Sequence, residues 1–257
     1  MKEPIKDYRI GEKNINRFGT EMCIVEYNNA KDVVVEFQDD NKYRVHTKYQ
    51  WFEQGVLNNP FDKTLYNIGY IGVGDYKPRV DKYMYNIWQH MIRRCYDPYY
   101  INTAITYKDC IVHDYFHCFQ NFGKWFDENY YCIKNETMHL DKDILNKGNK
   151  IYGPDTCIFV PARINSLVIR NDRNRGNLPI GVYYKKALGK YVSSCSILKD
   201  GKLKRIHLGC YDNPKEAFNV YKQFKEKYIK QVADDYKNKI PEKLYNALYD
   251  YKIEIDD

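Results

Sequence analysis

The sequence predicts an α+β chain of several domains, and three observations carry that prediction. Apolar residues recur with period two in short runs between 18 and 45; from Tyr83 the period becomes helical; and from Ile180 three further β-like runs lead into a well-capped helix. A length of 257 residues suits two or three domains. We place a small β domain at 1–62, a linker at 63–80, a central domain at 81–172, a sheet-plus-helix domain at 177–235 and a C-terminal helix or tail at 236–257.

In the first domain the runs 22–27 and 33–37 flank the turn-forming 28–32, and a second turn at 38–41 leads into 42–45. This spacing reads as an antiparallel sheet of three or more strands. Tyr49, Phe52 and Val56 follow at helical spacing, cut short by Gly55 and Pro60. Gly69, Gly72, Gly74 and Pro78 mark 61–80 as loop, and Gly72-Val73-Gly74 reads as a turn because no long helical pattern follows it closely. Met84, Ile87, Trp88, Met91 and Cys95 then share one helical face, with Arg93 and Arg94 off it. Phe116, Phe119, Phe122, Trp125 and Phe126 form a second apolar stripe, and both stripes read as core.

The stretch 139–165 sets carboxylates, amides, a lysine and a cysteine between two short β-like runs and enters a helix at Ala162. A compact strand, loop and helix metal site reads this way. Beyond it, strands are expected at 180–185, 190–198 and 204–209, with Asp200-Gly201 as a hairpin turn. Asn213 as N-cap, Pro214 at the first helical position and Glu216 closing a capping box start the next helix. Ala217, Val220, Tyr221, Phe224, Tyr228 and Val232 give it an apolar face that can cover one side of a three-stranded sheet. The other side stays open, and period-two counting places Tyr183, Lys185, Ser194, Ser196, Arg205 and His207 on it. Two cations, two hydroxyls, a phenol and an imidazole suit a DNA groove, although an ordinary solvated face has the same parity. From Pro241, the stripe Leu244, Ala247 and Leu248 reads as a docking helix ahead of the acidic end Asp256-Asp257.

Lys and Arg total 41 against 34 Asp and Glu, a net charge of +7 that is compatible with a polyanionic partner without demanding one. No run approaches the roughly 20 apolar residues needed to span a bilayer, so no membrane partner is expected. The polar start, MKEPIKDYRIGEKN, has no apolar signal region. The eight cysteines are spread along the chain, which suggests buried thiols or metal ligands in a reducing compartment and predicts a cytoplasmic location.

G-V-Y-Y at 181–184, K-Y-V-S-S-C-S at 190–196, H-L-G-C-Y at 207–211 and N-P-K-E-A-F-N-V-Y at 213–221 together resemble the AP2 DNA-binding domain over about 178–235. That resemblance implies a sheet that enters the major groove of double-stranded DNA. Its second strand is Ser-rich where plant members carry Arg, so their base preference does not transfer. Upstream, Y-x-x-W-x-x-M-x-x-R-C-Y at 85–96, L-D-K-D at 140–143, G-N-K-I-Y-G-P at 148–154 and C-I-F-V at 157–160 resemble phage-encoded HNH homing endonucleases, which are often fused to AP2 domains.

The second resemblance implies a ββα-metal (His-Me finger-like) central domain, a Mg²⁺ or Mn²⁺ cofactor, and a bacterial cytoplasm as the workplace of a phage or prophage protein. Asp141 matches the family's first metal ligand and Asn165 its last, while Asn149 either orients the site or simply turns the chain. Lys142 stands where the catalytic histidine is usual, and Thr156 where a central Asn is usual. A protonated lysine is a poor base but a good phosphate contact, which leaves His139 and Asp143 as candidate bases. Cys95, Cys110, His113 and Cys157 are candidate ligands of a structural Zn²⁺, or four unconnected side chains.

Two functions follow: a metal-dependent, sequence-specific DNA endonuclease, or a catalytically silent DNA-binding protein acting as a regulator or as an inhibitor of host machinery. The N-terminal domain suits a protein partner or a second DNA contact, and its residues do not choose.

Overall fold

The computed structural model describes residues 8–103, 107–168, 178–199 and 201–255. The N-terminal seven residues, Asp200 of the expected turn and the end Asp256-Asp257 lie outside the described residues. The fold is mixed α and β and divides into two compact units, residues 1–129 with 150–155 and residues 130–149 with 156–257. The division does not coincide with the five segments read from sequence. It assigns most of 139–165 to the unit that holds the C-terminal sheet.

In the first unit β1 (Lys13–Ile15), β2 (Glu21–Asn29), β3 (Asp32–Phe37) and β4 (Arg44–Thr47) form one antiparallel sheet in sequence order. Met22, Ile24, Val33, Val35 and Phe37 point to one side and pack with Phe52 of the short helix α1 (Tyr49–Glu53). Strand β1 was not evident in the sequence because K-N-I carries no apolar alternation; backbone pairing with β2 forms it. Asn14 ties it to α1 by donating Nδ2 hydrogens to the Phe52 and Glu53 carbonyls. Gly55 follows at φ +63°, with the Ile15 carbonyl 2.6 Å from where a Cβ would sit, so no other residue fits there without a shift.

Helix α2 (Lys82–Tyr96) buries Met84, Trp88, Met91, Ile92 and Cys95 and is followed by α3 (Pro98–Thr103). Helix α4 (Phe119–Asn129) buries Phe119, Phe122, Trp125 and Phe126, with Phe116 in the 3-10 turn Asp114–His117 just before it. Both stripes are core, as their spacing implies. Trp88 Nε1 donates to the Phe116 carbonyl at 2.7 Å, which satisfies the indole inside that core. Two short strands, β5 (Ile111–Val112) and β7 (Ile151–Tyr152), pair in parallel beside it.

In the second unit β6 (Met138–Asp141) pairs antiparallel with β8 (Ile158–Pro161), and α5 (Ala162–Val168) leaves directly from β8. The sheet β9 (Val182–Lys185), β10 (Lys190–Lys199) and β11 (Lys202–Tyr211) has β10 in the centre. Helix α6 (Pro214–Tyr236) covers one side; Asn213 Oδ1 caps it by accepting the Lys215 N–H at 2.8 Å. Its buried face contains the expected Ala217, Tyr221, Tyr228 and Val232, widened by Phe218, Ile229, Ala233 and Tyr236. Lys225 also lies on that face, where burial pushes its ammonium pKa down against a smaller opposing effect from Cys195. Helix α7 (Glu242–Asp250) contributes Leu244 and Leu248. A single hydrophobic core joins Ile158, Val160 and Ile164 to Val182, Cys195, Tyr221, Ile229 and Leu244. The β6–β8–α5 motif and the three-stranded sheet are thus one folding unit. Among the described residues no helix is long and apolar enough to cross a membrane.

Candidate nucleic-acid interface and metal site

Strand register decides which sheet residues share a side. Ser194 pairs with His207, Ser196 with Arg205, Val192 with Tyr183 and Lys190 with Lys185. A β-bulge between Ser193 and Ser194 shifts the β10–β11 register by one residue, and the pairs from Ser194 with His207 to Lys199 with Lys202 run regularly on its hairpin side. Tyr183, Lys185, Ser194, Ser196, Arg205 and His207 therefore lie on the side away from Val182, Cys195 and the α6 core. Tyr183, Lys185, Ser196, Arg205 and His207 are exposed. Ser194 differs from expectation: it is buried, and its Oγ accepts from Arg205 Nε at 3.0 Å. The Arg205 Cζ also lies 4.8 Å from the centroid of the Tyr183 ring, a cation–π distance. Arg205 is thus held from two sides while its outer edge faces solvent.

One signal in this region was legible but unused. Residues 182–211 contain seven Lys or Arg and one Asp, leaving +6 of the chain's net +7 in 30 residues. Cross-strand register, not composition, shows that Lys190 stands opposite Lys185. Cys210 Sγ lies 3.8 Å from His207 Nε2 at the rim of the same side.

On β6, alternation exposes His139, leaves Asp141 half-buried and turns Met138 and Leu140 inward. His139 Nδ1 and Asn165 Nδ2, on α5, lie 3.0 Å apart. In one arrangement the amide donates to Nδ1. With the amide turned over, Nδ1–H donates to Asn165 Oδ1, which keeps a second lone pair, and Nε2 becomes the basic nitrogen. Asp141 Oδ1 accepts the backbone N–H groups of Asp143 at 2.9 Å and Ile144 at 2.7 Å, an Asx turn that closes the loop after β6. Burial first, and the Asp143 charge second, push the Asp141 carboxyl pKa up to about 6.

Lys142 does not face the same way. It is buried, and its Nζ donates to Asp143 Oδ2 at 3.0 Å while its carbonyl accepts from Asn149 Nδ2 at 2.7 Å. In this structure Lys142 is engaged in an ion pair with the neighbouring Asp143. Of the two candidate bases, Asp143 is ion-paired with Lys142, while His139 is exposed and adjoins Asn165.

The raised Asp141 pKa has a measurable sign. A carboxyl whose folded pKa exceeds its unfolded value near 3.8 adds stability that is complete below that value and is lost as pH rises through about 6. Asp141→Asn keeps an oxygen for the Asx turn and removes the titration. Urea unfolding without metal is expected to show the variant gaining on wild type between about pH 4 and 7, with a constant difference above. A difference that does not change with pH contradicts the shift.

The donor chemistry at Asp141 and Asn165, one carboxylate and one amide oxygen on the open side of the motif, fits a hard cation such as Mg²⁺ or Mn²⁺. For zinc, Cys95 and Cys110 are buried and His113 is exposed, with its Nδ1 accepting the Tyr115 N–H at 3.1 Å. Cys157 is buried in the second unit. Among the described residues no three His, Cys, Asp or Glu side chains group as metal ligands.

The chain has no match among known families, curated proteins or solved structures.

Proposed function

We propose that this chain is a DNA-binding protein that reads double-stranded DNA with the open side of the β9–β10–β11 sheet and hydrolyses a phosphodiester at the β6–β8–α5 motif, in the cytoplasm of a bacterium carrying the phage or prophage that encodes it. The observation that carries the reading is that the open side gathers Lys185, Lys190 and Arg205, the arginine held by Ser194 and Tyr183. Lys side chains on the strands neutralise phosphates, and the outer edge of Arg205 has the fork geometry that matches guanine O6 and N7. Ser196 and His207 flank it with groups that both donate and accept.

The hydrolytic half rests on His139, Asp141 and Asn165 on one motif, in the unit that also carries the sheet. Asp141 and Asn165 Oδ1 would hold a hard divalent cation. When bound, it supplies charge stabilisation at the scissile phosphate. His139 Nε2 takes a proton from the attacking water, with Nδ1–H oriented by Asn165. Asp143 remains paired with Lys142 and takes no part.

The test is a binding titration of the full chain against a mixed-sequence duplex over a range of salt, with Mg²⁺ replaced by EDTA. Contact with about three to five phosphates predicts a log–log slope of about −3 to −5. A flat slope, or no binding, overturns the reading. Binding with that slope but no Mg²⁺- or Mn²⁺-dependent nick or cut leaves the silent DNA-binding protein as the correct form.

A further inference from the structure

One strong charge belongs to neither site. Arg94 leaves the polar side of α2, and the groups that act on it are phenols: its Cζ lies 5.6 Å from the Tyr107 ring centroid, and Tyr152 and Tyr100 act on its charge. Its neighbour Arg93 is neutralised by Asp97 at 3.1 Å. Among the described residues no carboxylate pairs with Arg94. One turn back on α2, His90 is held below the usual imidazole range by partial burial and then by the Arg94 and Arg93 charges, so the local field is positive. A half-buried guanidinium without a counter-charge bears a desolvation cost that phenols offset only in part. An oxyanion meets what is missing: a charge, and acceptors for the guanidinium fork and a phenol.

We propose that Arg94, with Tyr107 beside it, is a phosphate-binding site on the first unit that takes a backbone phosphate of nucleic acid. The identity of the phosphate carrier rests on the DNA-binding reading above. The phenols hold the guanidinium in place, and the site adds affinity without sequence preference, because a phosphate carries no base information.

The test compares full-length wild type, Arg94→Gln and Arg205→Ala on a mixed-sequence duplex across a salt series. Arg94→Gln is expected to weaken binding about three- to tenfold on every sequence and to reduce the salt slope by about one charge, while Arg94→Lys keeps the slope. In parallel, wild type is modified with phenylglyoxal with and without saturating duplex, and Arg94 is expected to be protected. Unchanged affinity and slope in Arg94→Gln, with Arg205→Ala weakened, overturn this site and leave the sheet reading standing. No binding by wild type overturns both. Should Arg94→Gln not fold, the wild-type protection decides: equal modification of Arg94 with and without DNA refutes the site.

Discussion

Arg205→Ala is expected to weaken binding to the preferred duplex by about 1–3 kcal/mol, roughly five- to 150-fold, and to flatten discrimination at one base pair. Lys contacts to phosphate are lost equally on every sequence, so the drop in discrimination separates base reading from charge. The expectation follows from how Arg205 is held. Its Nε is used on Ser194 Oγ at 3.0 Å and its Cζ sits 4.8 Å from the Tyr183 centroid, so less conformational entropy is lost when its terminal nitrogens meet a base edge. Ser194→Ala removes that anchor from a buried position and should move affinity in the same direction by a smaller amount. Arg205 is exposed, so its removal leaves the core intact, and an unchanged thermal unfolding midpoint serves as the control. Equal affinity of wild type and Arg205→Ala across duplexes of differing sequence removes Arg205 from the reading face.

The second large effect is at Asp141. Asp141→Asn is expected to abolish Mg²⁺-dependent cleavage, a loss of about a hundredfold or more, while duplex affinity in EDTA stays at the wild-type value. Asparagine keeps the oxygen that accepts the Asp143 and Ile144 amides, so the loop after β6 is preserved and only the charge is lost. His139→Ala should lose cleavage to a similar extent, and Lys142→Ala should instead lower stability, because its ammonium is spent inside on Asp143. Cleavage that survives Asp141→Asn, or that wild type lacks altogether, removes the catalytic half of the proposal.

The strands and helices were legible where local pattern and tertiary burial agree. V-V-V-E-F and the Trp88 and Phe119 stripes bury the side that their period selects. Parity also placed six sheet residues on one side, because Arg205 and His207 both lie on the hairpin side of the bulge and β9 pairs with β10 without one. Parity could not say how deep a polar residue lies. Ser194 and Lys142 are buried by partners brought in by the fold, and Lys225 sits on the core face of α6 where a helical wheel reads a charge as solvent-facing. Nor was the shared core of the β6–β8–α5 motif and the sheet readable, since its contacts join residues far apart in sequence, such as Ile158 and Ile229. Strand β1 and the phenol-lined Arg94 were missed for the same reason: backbone pairing and long-range neighbours leave no local period.

The most direct measurement is lysine footprinting of the full chain, by acetylation and mass spectrometry, with and without saturating duplex DNA. Labelling of Lys185 and Lys190, which stand opposite each other on the open side, is expected to fall several-fold on binding, because cations that neutralise phosphates are covered by them. Lys13 and Lys31, in the N-terminal sheet unit, are expected to label as before. Bound duplex with undiminished labelling of Lys185 and Lys190 would contradict recognition through this side of the sheet.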